Sequence, residues 1–158
     1  GKSLLIQHDI SSPRPYSRIH LISGTKGAAQ KWPGPERIAL GHEWMKKEEL
    51  DELYKKYSTP VVNHIGNIAK EVGGHGGMDF IMDWRLIDCL RNGLPLDQDV
   101  YDAAAWSCVM PLSERSVAKK SVTTDIPDFT RGAWKINKPV DLTLAGGGTT
   151  LVRKIEKK

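Results

Sequence analysis

Arg37-Ile-Ala-Leu-Gly-His-Glu-Trp-Met-Lys-Lys-Glu-Glu-Leu-Asp-Glu-Leu-Tyr-Lys-Lys-Tyr57 decides the fold class, because the chain changes its period inside this stretch. Upstream, apolar residues alternate with a period of two. From Met45 onward, Leu50, Leu53, Tyr54 and Tyr57 share one face of a 3.6-residue period. Glu48 and Glu49 lead and Lys55 and Lys56 close, the order that a helix dipole favours. The chain is therefore read as β up to residue 41 and mainly helical after it.

Working back from Arg37, the β part begins with strand character over Ser3–His8, broken by Ser11-Ser12-Pro13-Arg14-Pro15, since proline cannot donate to a ladder. A second strand is predicted over Arg18–Ser23, with Ala28–Trp32 as its hairpin partner. Trp32-Pro33-Gly34-Pro35 is a hard turn, and Arg37–Leu40 is short enough for an edge strand. Working forward, Thr59-Pro60 separates the first helix from a second over Val61–Val72, which Gly73-Gly74 ends. Met78–Arg91 is apolar on most of its circumference and is predicted to be the central buried helix, capped by Asn92-Gly93. Asp97 opens a long helical stretch to about Lys119, in which Pro111 either kinks the helix or sits in a new first turn. The tail reads as short strands and loop. The expected class is α+β, with an open, mostly antiparallel sheet and helices on one face.

Composition narrows the function. With 158 residues, 39% hydrophobic and 27% charged, the chain has the balance of one globular domain. No apolar run approaches the 18 or so residues of a membrane span. The two cysteines, Cys89 and Cys108, have neither a metal-ligand nor a redox spacing and are expected to pack as small apolar groups. A net charge of +4 and a pI near 9.1 raise the question of nucleic acid. The basic residues are scattered among acids, however, and the one dense run, Arg153–Lys158, reads as a solvated tail, so no nucleic-acid partner is expected. No signal-peptide pattern opens the chain, and the compartment is not read from it.

Three constellations could carry chemistry. Gly73-Gly74-His75-Gly76-Gly77 precedes a helix and could offer backbone N–H groups to an anion, or simply make a tight turn. It is not a dinucleotide fingerprint, because a helix rather than a strand precedes it. His75, Asp79 and Asp83 fall on one helical face, where a pocket role for His75 is preferred to a metal site. Ser12-Pro13-Arg14-Pro15-Tyr16-Ser17-Arg18 is a stiffened loop presenting Arg14, Tyr16 and Arg18, suited to recognising hydroxyls or a carboxylate, or else a rigid corner with a packed tyrosine. No Gly-x-Ser-x-Gly elbow, nucleophilic cysteine or carboxylate pair can be picked out. The residues alone give no reaction.

The blocks Ser12–Arg18, Gly73–Trp84, Cys89–Asp97, Asp99–Trp106 and Pro127–Trp134, in this order, resemble the C-terminal domain of glycoside hydrolase family 109, in the Gfo/Idh/MocA oxidoreductase superfamily. The resemblance covers residues 1–134, leaving 135–158 as a C-terminal tail. It implies an NAD-dependent α-N-acetylgalactosaminidase whose N-terminal Rossmann domain, absent from this chain, holds NAD. It further implies oxidation of the sugar at C3, elimination, water addition and reduction. The family's Tyr-x-x-His acid/base segment has no match here, so the chain is expected to be a fragment, inactive alone, with no catalytic, cofactor-binding or metal residue of its own. Tyr16 matches the family's substrate-contacting tyrosine. The implied partners are an N-acetylgalactosaminide sugar, the Rossmann domain and other copies of the chain through the open sheet. A periplasmic or exported bacterial setting is compatible with the resemblance. Two alternatives stand beside this: a stand-alone binding or oligomerisation module, and the C-terminal domain of a related Gfo/Idh/MocA sugar oxidoreductase.

Overall fold

A computed structural model describes residues 2–138, 140 and 142–152. The basic run Arg153–Lys158 lies outside the described residues. Where length suggests one domain, the chain divides into two compact units, Gly1–Tyr57 and Ser58–Lys158.

The first unit is an antiparallel meander, β1 (His20–Ser23), β2 (Gly27–Lys31), β3 (Arg37–Leu40) and β4 (Glu43–Trp44), followed by α1 (Lys47–Tyr57). The predicted hairpin forms in the register Leu21↔Gln30 and Ile22↔Ala29. β1 starts later than predicted because Ile19 takes a positive φ of 35°, a conformation that a β-branched residue in a ladder does not adopt. Ser3–His8, predicted as a strand, is not one: Leu4 and Leu5 are 85% and 94% exposed. Apolar propensity makes a strand only where a neighbour offers a ladder, and the outer edge of β1 is unpaired among the described residues. β3 is interior rather than an edge, because Glu43 and Trp44 fold back on it as Leu40↔Glu43 and Ala39↔Trp44. In α1 the Glu49 carboxylate accepts the Lys46 amide at 2.8 Å, and burial, followed by the nearby charge of Glu36, pushes the Tyr54 pKa up.

The second unit contains α2 (Pro60–Val72), α3 (Met78–Asn92), α4 (Val100–Ser107) and α5 (Val109–Ala118), with a 3-10 turn at Ala133–Lys135. Thr59 caps α2, and Pro60 starts it at a position where the missing N–H costs nothing. The predicted long helix is two: the chain breaks at Cys108, and Pro111 sits in the first turn of α5. Asp99 and Asp102 form a reciprocal capping box at the start of α4. α2 and α3 meet where Gly77, at φ 99°, comes so close to Ala69 that an added Cβ would stand 2.8 Å from its carbonyl carbon. Val61, Ile65 and Trp84 form the core there, flanked by Phe80, Ile81, Leu144 and Val152.

α3 differs from expectation in what it buries. Met82, Leu86, Ile87 and Leu90 are 44–67% exposed, while Trp84, Arg85, Asp88 and Cys89 face inward. The cover explains the choice. The tail forms no strand among the described residues; instead its Gly-Gly-Gly-Thr-Thr segment lies on α3 and supplies polar groups to Asp88. The Gly148 amide donates to the Asp88 carboxylate at 2.7 Å, the Thr150 hydroxyl at 3.0 Å and the Asn92 amide at 3.1 Å. The Trp84 indole donates to the Thr150 carbonyl at 3.0 Å. A side chain at Gly147 would begin 2.5 Å from an Asp88 oxygen, so only glycine fits. Cys89 is a free, fully buried thiol whose pKa burial pushes up; Cys108 is free and half-buried.

Burial alone would raise the pKa of Asp88, but the hydrogen bonds from Gly148 and Thr150 and the charge of Arg85 bring it below the ordinary value. A lowered native pKa stabilises the fold above the unfolded value of about 4, and that contribution is lost as pH falls from there through the lower native value. Urea unfolding should therefore show stability dropping as pH falls below about 5, with a shallower drop in Asp88→Asn. At neutral pH Asp88→Asn should cost about 1–3 kcal/mol, since the amide cannot accept from all of these donors. Unchanged stability in the variant would show that the tail is held by other contacts.

Candidate functional site

Each unit presents a candidate, and each is built from its own local chemistry. In the first unit, Asp9 organises the loop that carries Tyr16. Its carboxylate accepts the Ser11 amide at 3.1 Å, the Ser12 amide at 3.0 Å and the Ser12 hydroxyl at 2.8 Å, and it also pairs with Arg14. These bonds, led by the Ser12 amide, hold its pKa down to about 2. Pro13 and Pro15 stiffen the backbone that follows. Tyr16 is 77% exposed, so it is not the packed corner residue of the alternative reading. Its phenol oxygen accepts from Arg18 Nε at 2.6 Å, which leaves the O–H proton available to a ligand acceptor. Sequence inspection identified Tyr16 and its loop but missed Asp9, although Asp followed by Ser at the second and third positions is a known signal for such a turn.

In the second unit, His75 is exposed, its Nδ1 lies 2.9 Å from Asp79 Oδ2, and it is not among the residues that line the large cleft of this unit. Among the described residues no three His, Cys, Asp or Glu side chains stand close enough to share a metal ion. The Gly73–Gly77 turn does not fit a dinucleotide pyrophosphate. The Gly77 and Asp79 amides already donate to the Gly74 carbonyl, and an Asp79 carboxylate oxygen lies 2.9 Å from where a Cβ on Gly74 would stand, so a carboxylate already lies against the turn.

The larger feature of this unit is a cleft of about 1130 Å³ between the start of α4, the Leu94–Asp97 segment and the loop at 126–138. Tyr101, Phe129 and Trp134 supply aromatic surface, and Asp97, Asn137 and Lys138 supply polar groups. Arg85 Nε donates to Asp97 at 3.0 Å, and pairing with Asp97 raises the guanidinium pKa despite its burial. Asp128 shapes the far wall: it accepts the Thr130 hydroxyl at 2.7 Å, the Gly132 amide at 2.8 Å and the Trp134 indole N–H at 3.2 Å. The bond from the Thr130 hydroxyl leads in lowering the Asp128 pKa. The cleft was not legible in sequence, because its walls come from segments whose only local signals are Asp-Phe-Thr and Leu-Pro-Leu-Asp.

Comparison with known proteins places this geometry in a family. A family model described as the glycosyl hydrolase 109, C-terminal domain, matches residues 1–136. A glycosyl hydrolase family 109 protein 2 from Shewanella sp. (strain ANA-3) is 52% identical over 90% of this chain, which spans 32% of that protein. A protein of the same name from Akkermansia muciniphila is 47% identical over 89% of the chain and 31% of its own length. Another from Phocaeicola vulgatus is 50% identical over 85% of the chain and 33% of its own length. The chain thus spans about a third of the curated relatives that it matches, and it belongs to the glycosyl hydrolase family 109 C-terminal domain family.

Proposed function

We propose that this chain is the substrate-side domain of an NAD-dependent α-N-acetylgalactosaminidase and is inactive by itself. Membership of the family over residues 1–136 is the observation that carries this proposal. NAD would be held by a Rossmann domain elsewhere in the full-length protein, since the glycine-rich turn before α3 has the Asp79 carboxylate against it and follows a helix rather than a strand. The chain's own contribution is to bind and orient the sugar. Tyr16 is the residue suited to that role, because it is exposed, its loop is knotted by Asp9, and Arg18 occupies its oxygen as a donor. The phenol then donates to an acceptor on the sugar, a hydroxyl oxygen or the N-acetyl carbonyl. His75, exposed and paired with Asp79, is a secondary candidate for lining the substrate site.

The full-length protein carrying this chain should bind NAD⁺ and release N-acetylgalactosamine from an α-linked aryl glycoside, while the 158-residue chain should do neither. NAD⁺ binding to the chain alone, by calorimetry, would overturn the division of labour.

Tyr16→Phe in the full-length enzyme removes one O–H and keeps the ring, so kcat/KM should fall by about 0.5–1.5 kcal/mol, roughly two- to tenfold. Wild-type kinetics in a folded Tyr16→Phe enzyme would reduce Tyr16 to a loop residue.

We also propose that copies of the chain associate through the sheet. The outer edge of β1 is unpaired among the described residues, and Leu21, Ile22 and Leu40 are 60–71% exposed. Sedimentation at micromolar concentration should give a species larger than 17.6 kDa, and Ile22→Lys should shift it toward monomer. A monomeric wild-type chain would refute this association.

A further inference from the structure

We propose that the cleft of the second unit is a binding site for an uncharged oligosaccharide. Its volume of about 1130 Å³ exceeds the roughly 300–1,000 Å³ of an ordinary small-molecule pocket and suits a ligand of several rings. The walls combine two kinds of surface that a sugar needs together. Trp134, Phe129 and Tyr101 are 61%, 37% and 49% exposed and offer apolar faces to C–H groups. The Trp134 ring is also fixed in orientation, because its indole N–H is held by Asp128 and its backbone amide by the Thr130 hydroxyl at 3.2 Å.

Electrostatics select against a charged ligand. Each carboxylate on the wall is already engaged: Asp97 by Arg85, Asp99 and Asp102 by their mutual capping box, and Asp128 by its own turn. Lys135 stands 5.7 Å from the Trp134 ring centre, and Lys138 and Arg85 line the cleft along with its aspartates, so neither sign dominates it. Oxygens with spare lone pairs on Asp97 and the side-chain amide of Asn137 remain for hydroxyl groups, which both donate and accept. A neutral, hydroxyl-rich ligand with apolar faces satisfies all of these conditions. The choice of a glycan among such ligands rests on the glycosidase proposal above.

Saturation-transfer NMR on the 158-residue chain tests the site, with a neutral tri- or tetrasaccharide ending in N-acetylgalactosamine as the probe. Transfer to the sugar ring protons is expected, with affinity falling about tenfold in Trp134→Ala. Asn137→Ala should weaken binding by a smaller factor. Trp106→Ala, which removes another exposed tryptophan away from the cleft, should bind as wild type. Both tryptophans are more than half exposed, so circular dichroism should show each variant folded. The site is refuted if no transfer occurs, if Trp134→Ala and Asn137→Ala both bind like wild type, or if Trp106→Ala loses as much as Trp134→Ala. Binding confined to sulfated or carboxylated glycans would also overturn it, since the lysines would then select an anion. Because binding is read on this chain and turnover on the full-length enzyme, the two proposals fail separately.

Discussion

Asp88 has no contact with solvent, and a carboxylate in that position survives only when donors replace the water it has lost. Gly148, Thr150 and Asn92 provide them, and Arg85 stands 3.7 Å away with its charge. The rest of the second unit follows from this demand. The tail must approach α3 within contact distance, so Gly147 carries no side chain. Trp84 is close enough to bond Thr150, which closes the core around Val61 and Ile65. Arg85, drawn to the same region, reaches Asp97 with its Nε and so ties two residues of the cleft lining together. One buried acid thus links the apolar core to the polar site.

The helices were legible in sequence because their signals are local. Thr59-Pro60 and Asn92-Gly93 satisfy orphan backbone groups within a turn of themselves, wherever the rest of the chain goes, whereas the start of α4 was read at Asp97, two residues before the Asp99 that caps it. The hairpin of β1 and β2 was legible for the same reason, with its turn residues between alternating runs. What failed was non-local. Ser3–His8 has strand composition but no ladder partner among the described residues. The helix read as centrally buried because it is apolar on most of its circumference leaves Met82, Leu86 and Leu90 exposed, since the segment covering it is polar and selects Asp88. The partner that reverses the choice lies 60 residues further along the chain.

The candidate sites divide in the same way. Pro13, Pro15 and Tyr16 announce a stiff, presenting loop by composition, and Asp9 completes it through bonds two and three residues away. That Arg18 would turn the phenol oxygen into an acceptor is a matter of rotamers and has no sequence signal. Glycine density at 73–77 misleads in the opposite direction. Five consecutive residues with positive φ do make a special backbone, but it serves the close crossing at Ala69 and has the Asp79 carboxylate against it, so its geometry is spent on packing. The cleft needs Leu94, Tyr101, Asp128 and Trp134 to converge, and no pattern in the chain predicts that convergence.

The stretch that matches the family description ends at residue 136, yet two of the residues that donate to Asp88, Gly148 and Thr150, lie beyond it. A helix with Trp84, Asp88 and Cys89 on its inner face cannot bury them against residues 58–136 alone, because the hydrogen bonds to the carboxylate come partly from Gly148 and Thr150. Leu144 and Val152 flank the same core and give the tail an apolar hold on either side of its glycines. The glycines and threonines are consequently a folding element: the glycines allow close approach and the threonines supply donors. The residues that mark the chain as a family member and those that let its longest helix bury a charge are therefore overlapping but different sets.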